Sequence, residues 1–203
     1  MRNTSGWKRG AAIALAACVM ASGAWAIIGK LKEPVPAPGF QIKDVEGKSL
    51  SLEQYKGKVV LLMFWATWCG PCRMEIPHLI ELQNEYGSKG LAVVSLSVDD
   101  PQRMNAANLA SFTKSKNVNY RVGMATAQIV RDYGGVGSIP TSFLIDRKGN
   151  LQTKFIGVHG KEDFVREFTP LLPEDPAKKQ NAKSPKQSSE PQSVKKRETP
   201  AQR

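Results

Sequence analysis

With three cysteines and two histidines in 203 residues, the chain has little from which to build a disulfide scaffold or a metal centre. Small secreted folds stapled by disulfides need several cysteine pairs. A structural zinc site needs four ligands, and no second Cys-x-x-Cys accompanies the pair Cys69 and Cys72. The third cysteine, Cys18, lies in an apolar N-terminal segment. His78 and His159 lack companions that would make a metal site or a hydrolytic triad, so each reads as structural or surface. No internal repeat, Gly-rich phosphate loop or basic-aromatic platform stands out either.

The formal charge of +11 points towards nucleic acid until its placement is considered. Residues 1–30 carry +4 and residues 171–203 another +4, leaving +3 for everything between. The charge belongs mainly to the ends and not to a folded groove, which argues against a nucleic-acid partner.

Arg2, Lys8 and Arg9 precede an apolar stretch from Ala11 to Ile28, the pattern of a signal or anchor whose start stays in the cytoplasm. Three outcomes fit. The stretch is long enough to remain as a membrane anchor, the favoured reading. Ala24-Trp25-Ala26 offers a small-x-small cleavage site after Ala26. Leu15-Ala16-Ala17-Cys18 resembles a lipobox that would make Cys18 a lipidated first residue, although the residues after it stay apolar. Each outcome puts the following domain outside the cytoplasm, where disulfides form readily. The expected organisation is an anchor over 1–30, a proline-rich extended spacer over 31–37, one domain over 38–173 and a disordered basic tail over 174–203. The tail is rich in Lys, Gln, Ser and Pro and cannot bury enough apolar surface to fold.

What the chain does have is Trp65-Ala66-Thr67-Trp68-Cys69-Gly70-Pro71-Cys72. The apolar run Val59–Phe64 before it reads as a buried strand, and Arg73–Tyr86 after it as a helix. Two cysteines two residues apart therefore sit where a strand hands over to a helix. A thiol attacks a disulfide as the thiolate, and the unpaired N–H groups and positive dipole end of a helix start favour an anion. Pro71 needs no N–H in the first turn. One helical turn lets Cys72 reach back to Cys69. Cys69 is the expected exposed nucleophile and Cys72 the buried resolving thiol. A purely structural role is disfavoured because so short a loop barely constrains the unfolded chain.

Further along, Phe40–Leu52 reads as a hairpin turning at Asp44–Lys48. The apolar positions Ile76, Leu79, Ile80 and Leu82 give the helix a core-facing stripe. Leu91–Val98 reads as a parallel strand, Asn105–Lys116 as a helix, Val118–Val122 as a short strand and Thr126–Tyr133 as a short helix. Thr141–Ile145 and Leu151–Ile156 read as a hairpin, and Lys161–Leu171 as a closing helix. This alternation implies an α/β fold, a central mixed sheet with helices on both faces, an N-terminal hairpin and an inserted βα element.

Over roughly Pro38 to Leu172 these residues resemble the thioredoxin superfamily, and within it the TlpA/ResA-type thiol–disulfide oxidoreductases. The resemblance rests on Trp68–Cys72, Ala37-Pro38-Gly39-Phe40, Tyr55–Val60, Gly137-Ser138-Ile139-Pro140-Thr141 and Phe143–Asp146 with Gly149. It implies a cis Ile139–Pro140 peptide facing the dithiol, with the Ile139 backbone pairing to an extended substrate. It implies a substrate-facing rim of Trp68, Gly70 and Pro71, with Trp65 in the core and Pro77 as a structural helix proline. Met63 occupies the position of thioredoxin's buried aspartate, and Glu75 matches the glutamate that TlpA/ResA-type proteins carry three residues after the second cysteine. A carboxyl there can relay a thiol proton, and its charge opposes the thiolate. No cofactor beyond the redox-active Cys69–Cys72 pair is implied. The implied partners are disulfides in exported proteins, with apocytochrome c as one class, and a membrane dithiol electron donor. Two other readings use the same cysteines. A thiol peroxidase of this fold places a threonine three residues before its cysteine, whereas Thr67 lies two before Cys69. A copper chaperone suits soft thiolates, but usually spaces them more widely and adds a histidine.

Overall fold

The computed structural model describes residues 29–173. The apolar stretch Ala11–Ile28 and the tail 174–203 lie outside the described residues, as do the anchor, cleavage and lipidation readings placed on them. Among the described residues no helix is long and apolar enough to cross a membrane.

Every residue of β4 (Val59–Trp65) and β5 (Leu91–Ser97) is buried, as expected of parallel strands covered on both faces. They pair in register from Val59 opposite Leu91 to Trp65 opposite Ser97. β6 (Arg121–Met124) extends the sheet in parallel on one side, and β7 (Thr141–Ile145) and β8 (Asn150–Ile156) extend it antiparallel on the other. With β1 (Gly29–Pro36) at one edge, the six-stranded order is β1-β8-β7-β4-β5-β6, and the hairpin of β2 (Gln41–Lys43) and β3 (Ser49–Ser51) forms a separate small sheet.

One core lies between the sheet and α1 (Gly70–Tyr86), α2 (Ala106–Ser115) and α4 (Lys161–Phe168), through Met63, Trp65, Cys72, Ile76, Leu79, Leu109 and Phe164. The other face packs Val60, Leu62, Phe64, Val94 and Phe143 against Phe40, Leu50 and α3 (Ala127–Asp132), through Ile129. The buried positions of α1 are Cys72, Glu75, Ile76, Leu79 and Leu82, which follow the helical period. Pro77 sits inside that helix on its exposed side.

The structure departs from the sequence reading in two places. The spacer expected over 31–37 is mostly strand: β1 (Gly29–Pro36) runs antiparallel to β8, so the sheet begins before Pro38. Its prolines are tolerated at a sheet edge, where one side of the backbone has no ladder partner. The short strand expected over 118–122 is β6, displaced to 121–124. Val118 is still closing α2, its N–H donating to Thr113 O at 3.1 Å, and the Asn119 amide ties the segment to the side of α1, donating to Ile80 O at 3.2 Å and Asn84 Oδ1 at 2.7 Å.

Asp44 docks the N-terminal hairpin on β6. Its Oδ1 accepts the N–H groups of Glu46 and Lys48, and its Oδ2 lies 2.6 Å from Arg121 Nε. Gly123 faces the same contact, where a Cβ would stand 2.6 Å from Ile42 Cδ1.

Candidate active site

β4 delivers the chain to a turn at Ala66–Trp68, and α1 begins immediately after it. Cys69 is the N-cap, with extended backbone at φ −76° and ψ 106°. Its Sγ accepts the Cys72 N–H at 3.1 Å, so one orphan donor of the helix start points at the sulfur. Cys69 and Cys72 are joined as a disulfide with Cα atoms 5.3 Å apart. Cys69 keeps 5% of its surface exposed and Cys72 keeps none. An incoming sulfur can therefore reach only Cys69, and narrowly. Trp68 beside it is 69% exposed, whereas Trp65 is buried.

The Ile139–Pro140 peptide is cis. The Ile139 carbonyl oxygen lies 3.8 Å from Cys69 Sγ, so the loop before β7 faces the disulfide. The Pro140 carbonyl accepts the Gly157 N–H at 2.9 Å, which ties this loop to the segment after β8.

Glu75 lies one turn beyond Cys72 and is 1% exposed, which excludes a solvated helix-start acid. Its Oε1 accepts the His159 backbone N–H at 3.2 Å. Its Oε2 has no hydrogen-bond partner among the described residues. Burial raises the Glu75 carboxyl to about 7, with the His159 hydrogen bond acting the other way. Burial and the nearby Glu75 charge also raise the Tyr120 phenol. Met63 is fully buried between Ser95 and Ser142, so this strand position offers no titratable group.

The structure thus gathers Trp68, Cys69, Gly70, Pro71, Cys72, Ile139 and Pro140 at one end of the sheet, with Glu75 behind them. His159 is buried, not at the surface, and it meets Glu75 through its main chain. Side-chain type gave no signal for that contact. Asp99, just past the end of β5, is also buried and accepts from Thr67 and Ser97. Among the described residues no group of three or more His, Cys, Asp or Glu side chains could hold a metal ion.

The AhpC/TSA family matches residues 35–154. The chain belongs to the AhpC/TSA family. This member is 36% identical over 137 residues to the thiol-disulfide oxidoreductase ResA of Bacillus thuringiensis (strain Al Hakam), covering 66% of this chain and 77% of that one. It is also 36% identical over 138 residues to the thioredoxin-like protein YneN of Bacillus subtilis (strain 168), covering 68% and 79%. Among solved structures it is similar to a thiol:disulfide interchange protein of the thioredoxin family from Chlorobium tepidum TLS. That match has a TM-score of 0.62 at 36% identity and covers 68% of this chain and 97% of that one. It is similar, too, to the exposed lipoprotein thioredoxin of Streptococcus pneumoniae strain TIGR4, with a TM-score of 0.59 at 28% identity, covering 66% and 100%. The fold of this AhpC/TSA member is thioredoxin-like, its activity is that of a thiol–disulfide oxidoreductase, and its Cys-x-x-Cys pair, Cys69 and Cys72, stands as a disulfide.

Proposed function

We propose that the protein reduces disulfides in exported proteins on the outer side of the cytoplasmic membrane, with apocytochrome c as a substrate class. The observation that carries this reading is the asymmetric pair: Cys69 keeps a narrow opening beside the cis-proline loop and Cys72 is closed behind it. The Cys69 thiolate attacks a substrate disulfide, forming a mixed disulfide and releasing one substrate sulfur, which takes a proton. Cys72 then attacks Cys69 Sγ, closing the Cys69–Cys72 disulfide and releasing the second substrate thiol. Two electrons and two protons from a membrane dithiol carrier restore the reduced pair. Glu75, held near neutrality, accepts the Cys72 proton during resolution. Substrate backbone adds along Ile139, with Trp68, Gly70 and Pro71 forming the rim.

The placement outside the cytoplasm is supported by the basic residues ahead of Ala11–Ile28 and by the likeness to an exposed lipoprotein thioredoxin. The peroxidase reading fares worse. Thr67, offset by one from the peroxidase position, commits its hydroxyl to Asp99 at 2.9 Å.

The test uses the reduced full-length protein and an oxidised peptide carrying Cys-x-x-Cys-His, the haem-attachment pattern. Thiols are expected to appear on the peptide at a rate that Cys69→Ser abolishes. A peptide left oxidised while an unrelated protein disulfide is reduced would overturn the apocytochrome class.

A further inference from the structure

Asp99 is a buried carboxylate that accepts three hydrogen bonds from side-chain and backbone donors, and no Lys or Arg among the described residues pairs with it. Its place in the fold explains why. The β4–β5 ladder runs in register to Trp65 opposite Ser97, and Val98 N–H to Trp65 O, at 2.7 Å, closes it. Beyond that point the strands part, and the Thr67 N–H would be a buried donor without a partner, a costly condition. Asp99 Oδ2 accepts this N–H at 2.9 Å, and Oδ1 accepts the Thr67 hydroxyl at 2.9 Å. Ser97 Oγ donates to Oδ2 at 2.5 Å and accepts the Asp99 N–H at 3.1 Å, which fixes the carboxylate's orientation.

Thr67 is the middle of the turn that presents the nucleophile. Cys69 N–H donates to Ala66 O at 3.1 Å, and the Cys69 carbonyl accepts Arg73 N–H at 3.1 Å. A clamp on both donors of Thr67 therefore limits where Cys69 can stand.

We infer that Asp99 is a positioning residue for the redox pair. By holding the N–H and hydroxyl of Thr67 together, it sets the turn that places Cys69 Sγ against the Cys72 N–H and the Ile139 carbonyl. The inference rests on thiol–disulfide exchange at Cys69. A buried charge also opposes a nearby thiolate, so the test must separate position from charge. Thr67→Val does this, because it removes the hydroxyl and keeps the Asp99 carboxylate. Thr67→Ser restores the hydroxyl.

The experiment measures alkylation against pH in the reduced full-length protein, read on the Cys69-containing peptide by mass measurement so that Cys18 and Cys72 do not enter the profile. Thr67→Val is expected to raise the Cys69 pKa and to slow alkylation at pH 7 by roughly threefold to tenfold. Thr67→Ser should recover the wild-type profile. In an Asp99→Asn background the Thr67→Val effect should vanish, since the two groups act as one unit. Three results would overturn the role: a lower Tm with an unmoved alkylation profile, an equal Thr67→Val effect with and without Asp99, or a Cys69 pKa lowered by Asp99→Asn but untouched by Thr67→Val. A wild-type chain unable to reduce any disulfide would instead overturn the exchange reading itself.

Discussion

Glu75 Oε1 accepts the backbone N–H of His159 at 3.2 Å, joining the active-site helix to the segment after β8. That single bond holds a carboxyl that is otherwise sealed from water. The native state keeps the Glu75 proton up to about pH 7, while the unfolded chain releases it near the ordinary value of 4.5. Between those values the native state binds more protons, so this group's contribution to stability falls as pH rises, and the loss is complete above pH 7. At about 1.4 kcal/mol per pKa unit, the loss amounts to about 3 kcal/mol. Glu75→Gln keeps a neutral side chain at all pH values. Its oxidised form should be more stable than wild type at pH 8 and should lose the decline between pH 4.5 and 7, read from Tm against pH. Parallel curves for the two proteins would show that Glu75 does not titrate in that window. The exchange rate should also change its pH profile around neutrality in Glu75→Gln, and an unchanged profile would remove Glu75 from the chemistry.

The unequal exposure of the two sulfurs gives a second expectation. Cys72→Ser should accumulate a mixed disulfide with an oxidised protein substrate, because no resolving thiol remains. Cys69→Ser should form none at Cys72, which is fully enclosed. Non-reducing electrophoresis followed by mass measurement reads both. Equal trapping by the two variants would contradict the assigned roles.

The Asp44–Arg121 pair makes a claim about stability away from the dithiol. Asp44 is buried, with Arg121 Nε 2.6 Å from its carboxylate. Removing the cation leaves the charge with only the backbone donors of Glu46 and Lys48. Breaking a buried pair costs roughly 3–5 kcal/mol, and the partial exposure of Arg121 reduces this. Arg121→Ala should destabilise by about 2 kcal/mol in denaturant unfolding, with the dithiol potential unmoved. A shifted potential would mean that the hairpin anchor reaches the active site.

Much of this was legible in the sequence because the signals were strong and local. Val59–Trp65 is wholly apolar, so a central strand was the natural reading. Gly70-Pro71 follows an N-cap cysteine, so the helix start was visible as well. Edges and long-range polar contacts were not legible. The prolines between 31 and 37 masked an edge strand, because proline speaks against strands in general but not against edges. Asn117 and Val118 have strand-like neighbours yet close α2, and Asn119 ties the segment to α1. Asp44 read as a turn former, and the turn is real, but its other oxygen meets Arg121 on β6. His159 and Asp99 contribute through a main-chain donor and a clamp on another loop, which residue type and spacing do not encode.

The reduction potential of Cys69/Cys72 tests the central claim most directly. It would be measured by equilibrating the full-length protein against glutathione or dithiothreitol buffers and quantifying the free thiols. A dedicated reductant should lie near thioredoxin, at about −270 mV, as a single two-electron couple lost in Cys69→Ser. A potential near that of the strong oxidant DsbA, at about −120 mV, would contradict the account and reverse the direction of electron flow.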